Sequence, residues 1–211
     1  MDAFNQISTT LALTMGLAWA SGINLYATLV TLGFLANTGN IQLPPDLQIV
    51  ANPLVMTAAG FMYCVEFFAD KVPGVDTAWD TLHTFVRIPA GAMLAAGAVG
   101  TLDPSVELAA AILGGTMAAG SHVTKAGSRV LINTSPEPFT NWAASVTEDV
   151  AVITGVWTCI NHPTLFLVGL ALFIVLMIWL LPKIWVGIKK VFGFIINLFR
   201  PAAPPSGINP P

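Results

Sequence analysis

The chain reads as an all-α, polytopic transmembrane helical bundle of about six membrane segments, some of them kinked or broken. Composition is the first observation behind that reading. Of 211 residues, 55% are hydrophobic and only 9% are charged, where a soluble domain carries about 25% charged residues. The mean hydropathy of +0.76 means more apolar surface than one water-soluble core can hide. The second observation is that the remaining charges recur at helical spacing between apolar runs, so they enter the membrane with the helices that carry them. A net charge of −3, with no basic run interleaved with aromatics, gives no footprint for nucleic acid. Cys64 and Cys159 lie in separate apolar segments without a CxxC or Cys/His cluster, and read as small apolar core residues. The start, MDAFNQISTT, lacks the basic region of a signal peptide.

Segment 1 runs from about Ile7 to Ala36, longer than the ~20 residues a straight span needs. Ser21, Gly22 and Asn24 sit in its middle. Two readings stay open: a long tilted helix with a small-residue packing notch, or a helix broken at SGINLY whose freed backbone lines a site. A polar loop follows from Asn37 to about Gln48, where Pro44-Pro45 stops any helix. Segment 2 starts at Asn52-Pro53, a cap followed by a first-turn proline, and ends near Lys71. Val72-Pro73-Gly74 is a turn.

Segment 3 spans about Asp76 to Gly100, with a kink expected at Pro89. Its second half, AGAMLAAGAVG, suits close helix contact. Segment 4 covers about Ser105 to Leu131, segment 5 about Phe139 to Ile160, and segment 6 begins near Pro163 and stays apolar to Leu181. The chain thus divides into a transmembrane domain over 1–182, a basic amphipathic interfacial helix over 183–200, and a Pro-rich tail over 201–211 that is too proline-rich to pack. PGVDTAW and PEPFTNW share a P-x5-W spacing, which suggests that segments 2–3 and 4–5 form a parallel two-helix repeat.

The loops after segments 1, 3 and 5 contain no lysine or arginine, whereas Lys71, Arg129, Lys183, Lys189, Lys190 and Arg200 fall at the other surface. The positive-inside rule puts that surface, and both termini, in the cytoplasm. A re-entrant segment 1 would flip the N-terminus alone.

The candidate site follows from helical spacing. Asp76, Asp80, His83 and Arg87 share one face of segment 3, and Tyr63, Glu66 and Asp70 share one of segment 2, with Lys71 beside them. His122, Lys125 and Arg129 repeat the pattern on segment 4. Asn133 and Glu137 follow in the loop NTSPEP, and Asn141, Ser145 and Glu148, with Asp149 adjacent, share a face of segment 5. Charges at membrane depth are costly, need partners and mark functional sites. Arg87 and Glu148 lie about ten residues, or roughly 15 Å, from the cytoplasmic loops, so together these groups outline a polar cavity that segments 2 to 5 open to the cytoplasm. The alternative is a set of buried ion pairs, such as Arg87 with Glu148, that locks the bundle.

Carboxylates and histidines suit a proton relay or a cation path. Lys71, Lys125 and Arg129 suit a phosphate or carboxylate headgroup from the inner leaflet. A metal through His83 and His122 is the least supported, because no HxxxH or ExxH pair exists. No nucleophile elbow, HExxH or aspartyl dyad marks an enzyme, and no cofactor is implied.

The motifs GINLY, EFFADKVPGVDTAWDTLHTFVRIPAGA and HVTKAGSRVLINTSPEPFTNWAASVTEDV closely resemble the bacterial membrane-protein family catalogued as domain of unknown function 4126, from about Gly22 to His162. ADKxPGxD, WDxxHTxxR, KAGxR and NTSPEPxxN carry the likeness. Where family members place a second proline after the arginine, this chain has Ile88. The resemblance implies a bacterial inner-membrane protein and marks these motif residues, but implies no substrate. The expectation is a transporter or channel component for a small ion or charged amphiphile. Its alternative is a non-transporting scaffold that forms homo-oligomers through the Gly/Ala faces of segments 3 and 4 and binds membrane lipids, anionic ones included.

Overall fold

The computed structural model describes residues 3–100, 103–134 and 139–198, and every regular element among them is helical. The elements are α1 (Ala3–Asn37), a 3₁₀ helix (Pro45–Ala51), α2 (Pro53–Ala69), α3 (Val75–Val99), α4 (Pro104–Ile132), α5 (Phe139–Asn161) and α6 (Pro163–Leu198). α1 and α3 to α6 are long and apolar enough to cross a membrane; α2 qualifies together with the 3₁₀ helix, the pair being bent by 63°. The Pro-rich tail, Arg200 and Glu137 lie outside the described residues.

Helix starts follow capping chemistry. The Asn52 side chain accepts from the Leu54 N–H at 2.9 Å, with Pro53 opening α2. Asp103 accepts from the Ser105 N–H at 2.8 Å, with Pro104 opening α4. The Ser105 donors hold this exposed carboxyl below its usual range. Gly74, at φ 86°, takes a conformation that L side chains rarely adopt, and so permits the turn into α3. Pro45 starts the 3₁₀ helix, so the prolines that end one element open the next. α3 runs on through Pro89, and α6 through Pro182. Residues 183–198 therefore continue α6 rather than forming a separate interfacial helix. They stay on the bundle because Gly127 and Gly187 leave room for Ile184 and Leu131 at the α4–α6 contact.

α1 doubles back. Its backbone leaves helical geometry at Asn24 (φ −146°, ψ 99°). Before that point Ile7, Leu11 and Met15 line a groove with Val99 at the end of α3 and Val106 at the start of α4. Deeper down, the Ser21 hydroxyl donates to the Arg87 carbonyl at 3.1 Å, and the Tyr26 hydroxyl meets His83 Nε2 at 3.0 Å. A straight helix would carry on past the start of α3. Instead Asn37 Nδ2 donates to the Ala51 carbonyl at 3.0 Å, while Leu47 packs on Gly97 and Pro44 lies beside Gly100. The chain has returned to the face where it began. Asn24 supports the break itself: its Oδ1 accepts from the Ala27 N–H at 2.9 Å, and Thr28 Oγ1 donates to its carbonyl at 2.7 Å.

Both readings of segment 1 thus hold together, since the helix is broken and Gly22 is also a packing notch. A Cβ there would overlap Ser121 Oγ and the Ala118 carbonyl. The first described residues of α1 lie on the face of the α3–α4 connection, whereas Phe192, late in α6, lines a pocket with Pro73 and Thr134 at the opposite face.

α1 is the core around which α3, α4, α5 and α6 pack. α2 and α3 touch little beyond their turn, as do α4 and α5, so two splayed hairpins surround the tip of α1. The small residues are consumed inside the chain: Gly91 faces Ala118, and Gly114 faces Ala95 and Ala18. An oligomer would need another surface. Cys159 is buried, but Cys64 is exposed and is no core residue.

Candidate functional site

Four helices bring their charges to one place beside the tip of α1. Arg87 of α3 donates from Nη2 to Glu66 Oε1 of α2 at 2.6 Å, and from Nη1 to Asp80 Oδ1 at 2.9 Å. Its Nη1 also approaches His122 Nδ1 of α4 at 3.2 Å. An arginine only donates, so Nδ1 is the acceptor and the ring proton sits on Nε2, which faces Thr84 Oγ1 at 2.8 Å. Lys125 Nζ then lies 3.3 Å from Glu66, 3.2 Å from Asp70, 3.7 Å from Asp80 and 3.5 Å from Glu148. Arg129 grips Glu148 of α5 with two bonds, Nε to Oε1 at 3.1 Å and Nη2 to Oε2 at 2.7 Å. Its Nη1 donates to the side chain of Asn141 and to the Asn141 carbonyl at 2.9 Å.

The pair Arg87 with Glu148, the example given for a locking ion pair, is not formed. Arg87 is held by Glu66 and Asp80, and Glu148 by Arg129 and Lys125. The network is also closed rather than open: Glu66, Arg87 and Arg129 are 0% exposed. Three cations (Arg87, Lys125, Arg129) face four carboxylates (Glu66, Asp70, Asp80, Glu148), leaving one carboxylate in excess. Atoms of both signs are left without a hydrogen bond within the protein, Arg87 Nε among the donors. Glu66 Oε2, Asp70 Oδ1 and Asp80 Oδ2 are buried and make no hydrogen bond within the protein.

The other predicted residues sit around this centre. Asp149 accepts from Asn24 Nδ2 at 2.9 Å, tying the tip of α1 to α5. His83 stacks on Trp79 and reaches Tyr26. Lys71 donates to the Phe67 carbonyl at 2.9 Å and to Ser145 at 3.4 Å. Asp76 is a structural tie at the α2–α3 turn: Asn133 Nδ2 donates to both of its oxygens at 2.8 Å. Asn24, Ser21, Thr84 and Ser121 complete the surroundings and were not singled out as site residues. A lone polar residue in an apolar helix carries no periodic signal, although the SGIN interruption pointed at two of them.

Next to the network, a cavity of about 250 Å³ runs between α3, α4 and α6 and ends at Asp80, Thr84 and His122. Its wall includes Ile184 and Trp185 of α6, so α6 builds a polar access that was expected from segments 2 to 5 alone. Among the described residues no group of three or more His, Cys, Asp or Glu side chains is arranged to hold a metal ion.

Membrane-length helices, a broken helix packed at their centre and a buried charge cluster define an integral, multi-pass helical membrane protein. The chain belongs to the family described as Domain of unknown function (DUF4126), whose model matches residues 11–183. That match covers both halves of α1 beyond its first residues and every member of the charge network. No curated protein and no solved structure matches the chain.

Proposed function

We propose that this protein is a transporter or channel component of the bacterial cytoplasmic membrane that moves a small cation through the network at Glu66, Asp80 and Lys125. The observation that carries the reading is the meeting of a re-entrant helix tip with a buried cluster holding one more carboxylate than cations. Broken helices whose ends meet at mid-depth are how membrane proteins present backbone dipoles to an ion. Acidic excess at that point favours a positive cargo over a phosphate or carboxylate headgroup. Purified protein in liposomes should dissipate an imposed cation or proton gradient. Glu66→Gln should cut that flux at least tenfold in protein that still elutes as a single species. Absence of flux for protons, sodium and potassium under any imposed gradient would overturn the reading.

The closed packing of the cluster favours a second reading, a scaffold in which the ion pairs hold the helices in register. Flux separates the two: the wild type conducts and Glu148→Gln conducts at least tenfold less if the cluster works, whereas neither conducts if it only locks, and the variant lowers the unfolding temperature in both cases.

The positive-inside rule supports placing the α2–α3 turn and the end of α6, with Lys71, Lys183, Lys189 and Lys190, in the cytoplasm. A reporter active only outside the cytoplasm should then work at the N-terminus and fail at the C-terminus. Equal behaviour at both ends would rule out the re-entrant α1. We further propose anionic lipids as partners for the lysines of α6, where Lys183 and Lys189 each stand over a tryptophan ring. A homo-oligomer, an absence of enzymatic chemistry and independence from any cofactor belong to the same reading.

A further inference from the structure

We propose that the cavity between α3, α4 and α6 is a water-filled path from the basic face to Asp80, and that the ion the network handles is a proton. The proposal rests on the transport reading above and names its cargo and entrance.

Thr77, Thr81 and Thr84 recur at i, i+4 and i+7 on α3, so their hydroxyls form one stripe. Thr77 and Thr81 line both a vestibule at the α2–α3 turn and the deeper cavity, so the two adjoin. Thr84 lines the deep end. The opposite wall is apolar, so the hydroxyl stripe is the side along which water would be held. The deep cavity, about 250 Å³, takes a short file of waters at about 30 Å³ each.

The path ends beside a buried carboxylate. Asp80 is 1% exposed and lines the cavity. Arg87 binds its Oδ1, while its Oδ2 makes no hydrogen bond within the protein. The groups facing Asp80 are Arg87 on its own helix, Lys125 and His122 on α4, and, across those cations, Glu66 on α2; the α6 wall adds no charge. A metal cation needs several oxygen ligands at once, and Asp80 has one unpartnered oxygen to offer, Oδ2. A proton needs no coordination sphere: hydronium in the path gives its proton to Oδ2, one O–H bond forms as another breaks, and water remains. The net charge of the cluster then rises by one, which offsets its excess carboxylate. Thr84 and His122, 2.8 Å apart, continue the hydrogen bonding inward to Arg87.

The test uses the full chain in liposomes on a Cys64→Ser, Cys159→Ala background. Thr81→Cys and Thr77→Cys should react with a charged, membrane-impermeant methanethiosulfonate at least tenfold faster than Val86→Cys, whose parent side chain is exposed on the other side of the same helix. In parallel, infrared difference spectra on acidification should show a protonated carboxyl stretch that Asp80→Asn removes. Equal slow labelling of all three cysteines, or labelling only by a lipid-soluble maleimide, overturns the path. A carboxyl band that persists in Asp80→Asn overturns the acceptor. If labelling and band behave as expected while liposomes show no flux, the transport reading falls and the path to Asp80 stands.

Discussion

Arg87→Met is expected to destabilise the protein by ~3–5 kcal/mol, the loss typical when one partner of a buried ion pair is removed. The cost comes from what stays behind. Glu66 and Asp80 are 0% and 1% exposed, and both bind Arg87 directly. Lys125, already within 4 Å of four carboxylates, would be left to compensate them alone. The double variant Glu66→Gln, Arg87→Met removes one charge of each sign and should recover much of the loss. Thermal unfolding in detergent of the two singles and the double gives the coupling. If Arg87→Met unfolds at the wild-type temperature, the cluster contributes nothing to the fold and the scaffold reading loses its basis.

Gly22→Val is the second large effect. Any Cβ at this position overlaps the Ala118 carbonyl as well as Ser121 Oγ, and a backbone atom cannot swing aside as a long side chain can. Overpacking of a tight core typically costs ~1–3 kcal/mol, and here it would also lift the tip of α1 away from α4. The Ser121 hydroxyl, which donates to the Trp19 carbonyl at 3.0 Å, would lose its place. Gly60→Ala is the matched control, since nothing lies within 4 Å of a Cβ there. A variant at Gly22 with wild-type stability would mean that α1 does not seat against α4.

The sequence made the helices and most of the site visible for a simple reason. Charges in an oily chain stand out, and helical spacing assigns each to a face, so Asp80 with Arg87 and Lys125 with Arg129 could be grouped by counting. Which face meets which is a matter of helix rotation and tilt, and spacing carries no such information. That is why Arg87 was matched with Glu148 although it binds Glu66 and Asp80. The reversal of α1 rests on one residue, Asn24, whose neighbours read as ordinary helix. Excess length hinted at it, and only contacts with Val99 and Gly97 decide it. The residues that α6 gives to the cavity, Leu181, Ile184, Trp185 and Ile188, carry no charge to advertise its part, because a wall is made by shape.

The reversal of α1 also bears on how the protein is assembled during synthesis. α1 leaves the ribosome before the helices it packs against, yet it buries Ser8, Thr14, Ser21, Asn24 and Thr28. The partners of two of these come much later in the chain, since Ser21 bonds Arg87 and Asn24 bonds Asp149, and the Trp19 carbonyl nearby waits for Ser121. Until α3, α4 and α5 exist, those groups have only lipid around them, where unpaired polar atoms are costly. A segment made before α3, α4 and α5 is therefore seated only after them. A chain halted after α3 would present a polar, unseated helix to the quality-control proteases of the membrane, so that completion of α5 becomes the checkpoint for survival.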